Sequence, residues 1–535
     1  MPGAVEYADG SRPSGVSFRA RSRRRTTPTV VDRQHRPRPR QCQAPGIIDR
    51  PRVRRLDFGR TRQGGRPFRR GSRDRRRGRC PGRFCAGDPR ASPVRGTDRG
   101  GRLDEPFSYR EGALCCEAVP LAELARRFAT PLYVYAANAI RARYRALVEA
   151  FAPDPPLVCY ALKANHNLAV IRTLAALGAG ADTVSGGEIL RARRAGVPAS
   201  KIVFAGVAKT DQEIRLALAE GIFQLNVESA QELERIAAIA SAMGRNAPIA
   251  LRVNPDVAAA THDKIATGRK QDKFGIDLAD APALYERALA LPGVEPVGLH
   301  LHIGSQILDL APFERAYGRA VELIRELRGK GIAIRRLDLG GGLGVRYGEE
   351  GPADPRAFAD LVRRATRGLD LELVLEPGRY LVAEAGGLLA SVIYLKEAGG
   401  RRFLVLDAGM NTLVRPAMYG ARHAITPVRA PRPEDELLRM DVVGPICESS
   451  DIFGRDYRLP RLGPGDLVVF RTAGAYGMVM ASDYNSRPSP AEVLVDGERF
   501  ALIRPRREPE EQMASERIPP WLEERGGSDE QERSR

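Results

Sequence analysis

Hydrophobic residues along the chain concentrate in eight short β-like runs between residues 157 and 377. The runs are LVCYALKA (157–164), AGADTVS (179–185), IVFAGV (202–207), FQLNVES (223–229), PIALRVN (248–254), PVGLHLHIG (296–304), RRLDLGGG (335–342) and LELVLEP (371–377). Stretches with apolar residues at helical spacing, such as LAVIRTLAALGA and AQELERIAAIASAMG, separate most of them. Eight strands alternating with helices predict an α/β fold, a (β/α)8 barrel of the TIM type.

Chemically suggestive residues lie at the C-terminal ends of these runs. They are Lys163, Asp182, Arg252, His302, Gly340 to Gly342 and Glu376 to Arg379. In a (β/α)8 barrel the C-terminal ends of all strands meet on one face, and that face carries the active site. The pattern therefore predicts an enzyme whose catalytic groups converge at the barrel mouth.

The pattern of the remaining chain predicts further segments around the barrel, which we place at residues 157–385. Residues 386–505 contain short apolar runs bounded by Gly and Pro without long helices between them, which predicts a second, mostly antiparallel β domain. Residues 106–156 form a lead-in expected to pack against both domains. Residues 506–535 form a charged tail.

The net charge of +19 resides entirely in residues 1–105, which hold 29 arginines, no lysine and 10 acidic residues. The rest of the chain carries 56 basic and 56 acidic side chains, so it has no electrostatic reason to bind polyanions. The first segment is rich in Pro and Gly and lacks apolar periodicity, which predicts disorder. A nucleic-acid-binding arm is one interpretation; we favour translated sequence upstream of the true start.

The seven cysteines show neither a CxxC pair nor the spacing of a metal site, so we expect no metal. An odd number without a disulfide framework is typical of a reduced, cytoplasmic protein. The sequence also lacks an apolar run of about eighteen residues, and we therefore expect no membrane span.

Lys163 and the glycines after the seventh run together suggest a cofactor. A lysine at a pocket mouth can act as a nucleophilic amine for Schiff-base chemistry. Gly340 to Gly342 follow strand seven, where barrels often bind phosphate, and they would let backbone N–H groups approach an anion. A phosphorylated aldehyde cofactor, pyridoxal 5′-phosphate (PLP), satisfies both features.

Nine ordered sequence blocks resemble the diaminopimelate decarboxylases, which belong to the PLP enzymes of alanine-racemase and ornithine-decarboxylase fold. The blocks are YALKAN, GADTVSGGE, HDKIATGRKQDKFGI (262–276), GLHLHIGSQI, DLGGGLG, LEPGRYLVAEAG, RPAMYGARH, GPICESSD and AGAYGMVMASDYNSRPSPAEVLV. The resemblance covers about residues 106–525. It implies decarboxylation of meso-2,6-diaminopimelate to L-lysine and CO₂, the last step of lysine biosynthesis.

The resemblance implies roles for residues of the barrel. Lys163 would hold PLP as an internal aldimine, Glu376 would face the pyridine nitrogen, and His302 would stack on the ring. A carboxylate beside the pyridine nitrogen keeps the ring protonated and makes it an electron sink. The other positions implied to bind the cofactor are Asp182, Glu188, Arg252, Ser305, Gly340, Gly341, Gly342, Pro377, Gly378, Arg379 and Tyr476.

For the second domain, the resemblance implies that Cys447 is the general acid that reprotonates the α-carbon. The substrate-binding set would be Arg379, Arg415, Tyr419, Glu448 and Tyr476. Arg415 with Glu448 would pair with the distal carboxylate and ammonium of diaminopimelate. Family members build each site from two subunits, so a homodimer is also implied.

Sister enzymes remain the alternative: an ornithine, arginine or carboxyspermidine-type decarboxylase, or a decarboxylase of specialised metabolism. Arg415 favours diaminopimelate, since plain diamine decarboxylases need no cation for a distal carboxylate. A catalytically inactive binding protein would be expected to lose the lysine or the cysteine, and this chain keeps Lys163 and Cys447. Ser450, in CESSD, departs from the commoner glycine.

Overall fold

A computed structural model describes residues 105–257, 273–348 and 351–523 of the chain. The expectation that residues 1–105 are disordered therefore concerns a segment that, except for Glu105, lies outside the described residues. Most of the HDKIATGRKQDKFGI block also lies outside them, as does the end of the charged tail.

The lead-in begins with a small antiparallel sheet and ends in a long helix. Its elements are β1 Phe107–Arg110, β2 Ala113–Cys116, β3 Val119–Pro120, α1 Leu121–Phe128, β4 Leu132–Ala136 and α2 Ala137–Ala150. The segment FSYREGALCCEAV (107–119), which the sequence suggests as one strand, forms β1 and β2 and ends at the first residue of β3. A turn at Glu111 and Gly112 separates β1 from β2, and both residues have the positive φ values of a tight hairpin.

Eight parallel strands close into a barrel, as predicted. They are β5 Leu157–Ala161, β6 Gly180–Thr183, β7 Ile202–Phe204, β8 Gln224–Val227, β9 Ala247–Asn254, β11 Val294–His300, β12 Arg336–Asp338 and β13 Glu372–Leu375, and a two-residue strand, β10 Ile276–Asp277, pairs with β9. Each strand pairs with the next in chain order, and β13 pairs with β5 to close the ring. The C-terminal ends of all eight strands therefore share one face.

A helix follows each barrel strand. These helices are α3 Leu168–Ala175, α4 Gly186–Arg194, α5 Asp211–Glu220, α6 Ala230–Ala242, α7 Ala281–Ala290, α8 Ala311–Gly329, α9 Pro355–Thr366 and α10 Arg379–Val382. Several begin within a few residues of a strand because a polar residue caps them: the side chains of Ser185, Thr210 and Ser229 each accept from the N–H three residues on. Within the described residues, none of the helices has the length and apolar character needed to cross a membrane.

The C-terminal part is built mainly from antiparallel strands. Its elements are β14 Gly386–Ala398, β15 Arg401–Leu406, α11 Arg415–Tyr419, β16 Ile425–Pro427, β17 Leu437–Val443, β18 Ile452–Pro460, β19 Leu467–Phe470, β20 Ala491–Asp496, β21 Arg499–Arg504, α12 Pro509–Met513 and α13 Pro520–Glu523. The main path through the sheet is β18-β17-β15-β14-β4-β20-β21. The lead-in strand β4 thus lies inside this sheet, antiparallel to β14 and parallel to β20.

Candidate active site

Lys163 lies directly after the first barrel strand, in a short 3-10 turn. Its Nζ donates to Oδ2 of Asp182 at 2.8 Å, and Asp182 is fully buried on the neighbouring strand β6. Burial alone would lower the pKa of the Lys163 ammonium, but the carboxylates of Asp182 and Glu376 outweigh it and raise that pKa. The side chain is still 36% exposed, so Lys163 is a cation that a ligand can reach at the mouth.

His302 follows β11 and is tied to the glycine loop of the next strand. Its Nδ1 accepts from the N–H of Gly341 at 3.2 Å. Burial lowers the pKa of His302 well below its usual value, and the cations Lys163 and Arg252 lower it further. The imidazole is therefore neutral at physiological pH, with its proton on Nε2, and offers an oriented flat ring at the mouth.

Glu376 forms part of a buried polar floor beneath the mouth. Its Oε2 lies 3.1 Å from Nε2 of His300, and its Oε1 accepts from Nδ2 of Asn226 at 3.3 Å. Burial raises the pKa of Glu376, but the electrostatic effect of His300, the hydrogen bond with it and the nearby Lys163 hold that pKa at about 2. The Glu376 side chain therefore stays ionised at physiological pH, although the residue is only 4% exposed.

Asp338 is a second carboxyl group on this floor. Its Oδ2 accepts from the side-chain amides of Gln224 at 3.3 Å and Asn226 at 3.4 Å, and its Oδ1 accepts from the N–H of Gly340 at 3.1 Å. The amides belong to β8, which is not a neighbour of β12. These hydrogen bonds therefore cross the barrel interior.

The three glycines after β12 allow a backbone approach that a side chain would prevent. A Cβ on Gly341 would lie 2.3 Å from the carbonyl oxygen of Glu376, while Gly340 and Gly342 have φ values of +66° and +118°. The N–H groups of Gly340 and Gly341 already donate to Asp338 and His302. The three glycines thus allow the backbone segments to pack closely together. They do not offer the full row of free N–H groups for binding an anion that the sequence suggests.

The segment that begins with Glu376 packs against the turn that carries Lys163. The carbonyl of Pro377 accepts from the N–H of Ala161 at 3.2 Å. A Cβ on Gly378 would lie 3.1 Å from the Cβ atoms of both Ala161 and Ala164, so glycine permits this contact. The ends of the first and eighth strands are therefore held side by side.

Arg379 connects three loops around the mouth. Its Nη1 donates to the hydroxyl of Tyr347 at 2.7 Å, and its Nη2 donates to Oγ of Ser305 at 3.0 Å. The guanidinium also lies 4.8 Å from the ring centroid of Tyr476, whose N–H donates to Ala164 at 2.8 Å. Within the described residues the buried Nε of Arg379 has no hydrogen-bond partner.

Arg415 begins α11 and lies among aromatic rings. Its guanidinium is 5.0 Å from the ring centroid of Tyr347 and 5.9 Å from that of Tyr419. Burial lowers the pKa of Arg415, and the positive charge of Arg379 lowers it further against the opposing effect of Tyr347. The structure therefore brings two buried cations, both from the sequence-predicted set, to one side of the mouth.

Arg252 and Glu188 are both engaged with protein groups. Arg252 Nη1 lies 2.6 Å from Oε1 of Glu228, and its guanidinium covers the ring of Phe274 at 4.7 Å. Glu188 accepts from the N–H of Val184 at 2.8 Å and so helps to begin α4. These contacts orient the loops after the second and fifth strands.

Cys447 and Glu448 are exposed on the loop after β17. The N–H of Cys447 donates to Oδ1 of Asn485 at 3.2 Å, and the hydroxyl of Tyr484 donates to Glu448. Among the hydrogen bonds of the described residues, none joins this loop to Lys163. A single chain therefore gathers the predicted barrel residues at one mouth but leaves the Cys-Glu pair on its surface.

Sequence reasoning missed several residues of this region, chiefly His300, Asn226, Glu228 and Tyr347. Three of them stand at the end of a barrel strand or directly after it, in LHLH for His300 and LNVES for Asn226 and Glu228. These three residues could have been predicted as site residues, because they are polar and lie at the ends of predicted strands. Tyr347 lies five residues beyond the glycine triplet, and only the fold brings it to Arg379.

Comparison with known proteins identifies the family. Residues 137–383 match the family described as "Pyridoxal-dependent decarboxylase, pyridoxal binding domain". The diaminopimelate decarboxylase of Pseudomonas aeruginosa is 49% identical over 417 residues, which cover 78% of this chain and 100% of the relative. The chain belongs to the diaminopimelate decarboxylase family. The enzyme of that name from Zymomonas mobilis is 46% identical with the same coverage.

A solved member of the diaminopimelate decarboxylase family has the same fold. The Helicobacter pylori enzyme, whose crystal structure is complexed with L-lysine, superposes with a TM-score of 0.71 at 43% identity and covers 76% of this chain and 100% of its own. The match to both the barrel and the sheet confirms the predicted fold class and family.

The residues at the mouth fit the PLP cofactor of the diaminopimelate decarboxylase family. Lys163 supplies an accessible amine, and Glu376 supplies an ionised carboxylate below it. Oδ1 of Asp182 and Nε of Arg379 are buried atoms without a hydrogen-bond partner in the described residues, which suits a polar ligand.

Proposed function

We propose that the chain decarboxylates meso-2,6-diaminopimelate to L-lysine and CO₂ with the help of PLP, as the last step of lysine biosynthesis. One observation carries the assignment: Lys163, the Glu376 carboxylate and the buried cation Arg379 surround a single barrel mouth. That set supplies a covalent anchor, a counter-charge for a protonated ring, and a cation for an acidic group.

The barrel residues would hold the cofactor. PLP, when bound, withdraws the electron pair that remains on the α-carbon after CO₂ leaves. Lys163 would anchor the cofactor through Nζ, with Asp182 beside it, and His302 would lie against the ring. Glu376 would hold a proton on the ring nitrogen, because an anion there favours the protonated form. Ser305 and the Gly340–Gly342 loop would border the phosphate.

The arginines would bind the acidic groups of the substrate. Diaminopimelate has an amino acid group at each end, so it presents two carboxylates. Arg379 and Arg415 would pair with them through charge-assisted hydrogen bonds. Tyr419 and Tyr476 lie against these guanidinium groups and would restrict their positions.

Cys447 would donate the proton that the α-carbon receives. Its thiol is exposed on the single chain, so it would act at the barrel mouth of a second copy, with Glu448 binding the distal ammonium there. We therefore propose a homodimer in which the loop after β17 completes the partner's site. The free thiols of Cys115, Cys116, Cys159 and Cys447 also suit the cytoplasmic location that we propose.

A substrate panel would test the function and separate it from the sister activity. Purified chain loaded with PLP should release CO₂ from meso-diaminopimelate, and much more slowly from ornithine, arginine or lysine, because a missing distal carboxylate leaves Arg415 unpaired. Discrimination by unpaired buried groups can reach about 10⁴-fold. Equal rates with ornithine would assign the chain to the diamine decarboxylases instead.

A further inference from the structure

The polar floor below Lys163 contains a histidine to which neither the sequence nor the mechanism above assigns a role. His300 is the last residue of β11 and is 1% exposed. Its Nε2 lies 3.1 Å from Oε2 of Glu376, and its Nδ1 has no hydrogen-bond partner among the described residues. Donation to an ionised Glu376 places the proton of this contact on Nε2.

Both oxygens of the Glu376 carboxylate are thereby anchored from different sides of the barrel. Asn226, on β8, donates to Oε1 at 3.3 Å, and His300, on β11, lies at Oε2. A buried side chain held at both oxygens has little rotational freedom. The direction in which its charge points is set by these two neighbours.

Asp338 explains why His300 matters for the charge as well as for the position. Burial raises the pKa of Asp338 well above its usual value, and the adjacent Glu376 raises it further. One oxygen of Asp338 and one of Glu376 lie within 4.8 Å of each other. Two buried carboxyl groups this close do not both ionise, so the pair carries one proton. The hydrogen bond from His300 places the negative charge on Glu376 and leaves the proton on Asp338.

We propose that His300 is a positioning residue that acts through Glu376: its Nε2 donor keeps Glu376 as the ionised member of the carboxyl pair and so keeps the ring nitrogen of PLP protonated. The inference rests on the proposed function, because it assumes that Glu376 faces that nitrogen. The other titratable groups facing Glu376 are Lys163, Asp182, Cys159 and His302. Of these, Lys163 donates to Asp182 instead, at 2.8 Å.

Two substitutions of His300 distinguish the effect of its N–H donor from the effect of its side-chain volume. His300→Gln retains an N–H donor near Glu376, whereas His300→Leu removes it at similar volume. With PLP labelled by ¹⁵N at the ring nitrogen, wild type and His300→Gln should show a protonated nitrogen between pH 6 and 9. His300→Leu should show an unprotonated one. The kcat of His300→Leu should fall by about 10–100-fold with little change in KM. Losses of this size are typical when a residue that hydrogen-bonds to a metal ligand is replaced.

Two further variants act as controls. Tyr285→Phe removes another buried hydrogen bond that involves β11, from the Tyr285 hydroxyl to the carbonyl of Gly298 at 2.8 Å, and should leave the ¹⁵N shift unchanged. Asp338→Asn replaces a neutral acid by a neutral amide and should also keep the ring protonated. A His300→Leu enzyme with the wild-type ¹⁵N shift and kcat would overturn the proposal, as would an Asp338→Asn enzyme with an unprotonated ring.

A measurement on the wild-type protein remains decisive if His300→Leu does not fold. In apoprotein with ¹⁵N-labelled histidine, assigned by comparison with His300→Gln, the Nε2 of His300 should carry a proton. An unprotonated Nε2 of His300 would overturn the inference. Failure of the proposed function has a different signature: the wild type would then neither bind PLP at Lys163 nor release CO₂, while the histidine measurement would still decide whether His300 donates.

Discussion

Replacement of Gly341 by alanine should disable the site without changing any titratable group. The added Cβ would lie 2.3 Å from the carbonyl oxygen of Glu376 and 3.7 Å from Cε1 of His302. The first contact involves backbone, which cannot rotate away as a side-chain end could. To restore ordinary van der Waals distance, the Gly341 and Glu376 segments would have to separate by roughly 1 Å.

A displacement of that size would move Glu376 within the cofactor site. Glu376 would face the cofactor ring, and a misplacement of about 1 Å in such a site can reduce activity by about 10²-fold. Overpacking should also destabilise the fold by about 1–3 kcal/mol. We therefore expect Gly341→Ala to lower kcat/KM about 100-fold and to weaken PLP binding, measured by CO₂ release and by titration of the apoprotein with PLP.

Gly329→Ala is the matched control for this change. Gly329 ends α8, and a Cβ there would have no heavy atom within 4 Å apart from its chain neighbours and its own helix backbone. This variant should retain wild-type activity and unfold at the same temperature or slightly above it, since alanine favours the helix. Wild-type activity and PLP affinity in Gly341→Ala would refute the assignment of this loop to the cofactor site.

Three other predictions test the remaining parts of the chain. Borohydride treatment of the PLP-loaded enzyme should modify Lys163, and Lys163→Ala should show no such adduct by peptide mass spectrometry; an adduct on another lysine would contradict the anchor. Cys447→Ala should keep PLP binding but lose about 10²–10⁴-fold in kcat, whereas Cys115→Ala should not. A chain that begins at Asp104 should fold and turn over like the full chain but lose salt-sensitive binding to polyanion columns; an inactive product would assign residues 1–103 a role.

The barrel could be predicted from the sequence because its signal is local and repeated. Each buried parallel strand is a short apolar run, and helix N-caps such as Ser185 and Thr210 mark where the next helix begins. Two strands of the sheet domain, β16 and β18, do not stand out among its short apolar runs. In β18 the charged residues of IFGRDYRLP obscure the alternation, and β16 has only three residues, so its pairing with β19 depends on tertiary contact.

The site could be predicted only as far as its residues end a strand or belong to a recognisable block. The sequence places Lys163 and Glu376 at opposite ends of the barrel segment, and the closure of β13 on β5 brings them together. It could not show that two of the three glycine N–H groups would be used internally. Such contacts depend on distances of a few tenths of an ångström, which composition and spacing do not encode.

The two arginines at the mouth provide a physical basis for selecting a substrate with two carboxylates. Arg379 and Arg415 are both about 6% exposed, and each has a buried Nε without a hydrogen-bond partner in the described residues. Tyrosine rings stabilise these cations only partly, and the two charges repel each other. A buried charge left unpaired is strongly unfavourable, so a ligand that neutralises both should bind far better than one that neutralises a single arginine. Selectivity would then arise from the charge that the protein itself leaves unmatched at Arg415, while Lys163 and Glu376 would serve any amino acid that reached the cofactor.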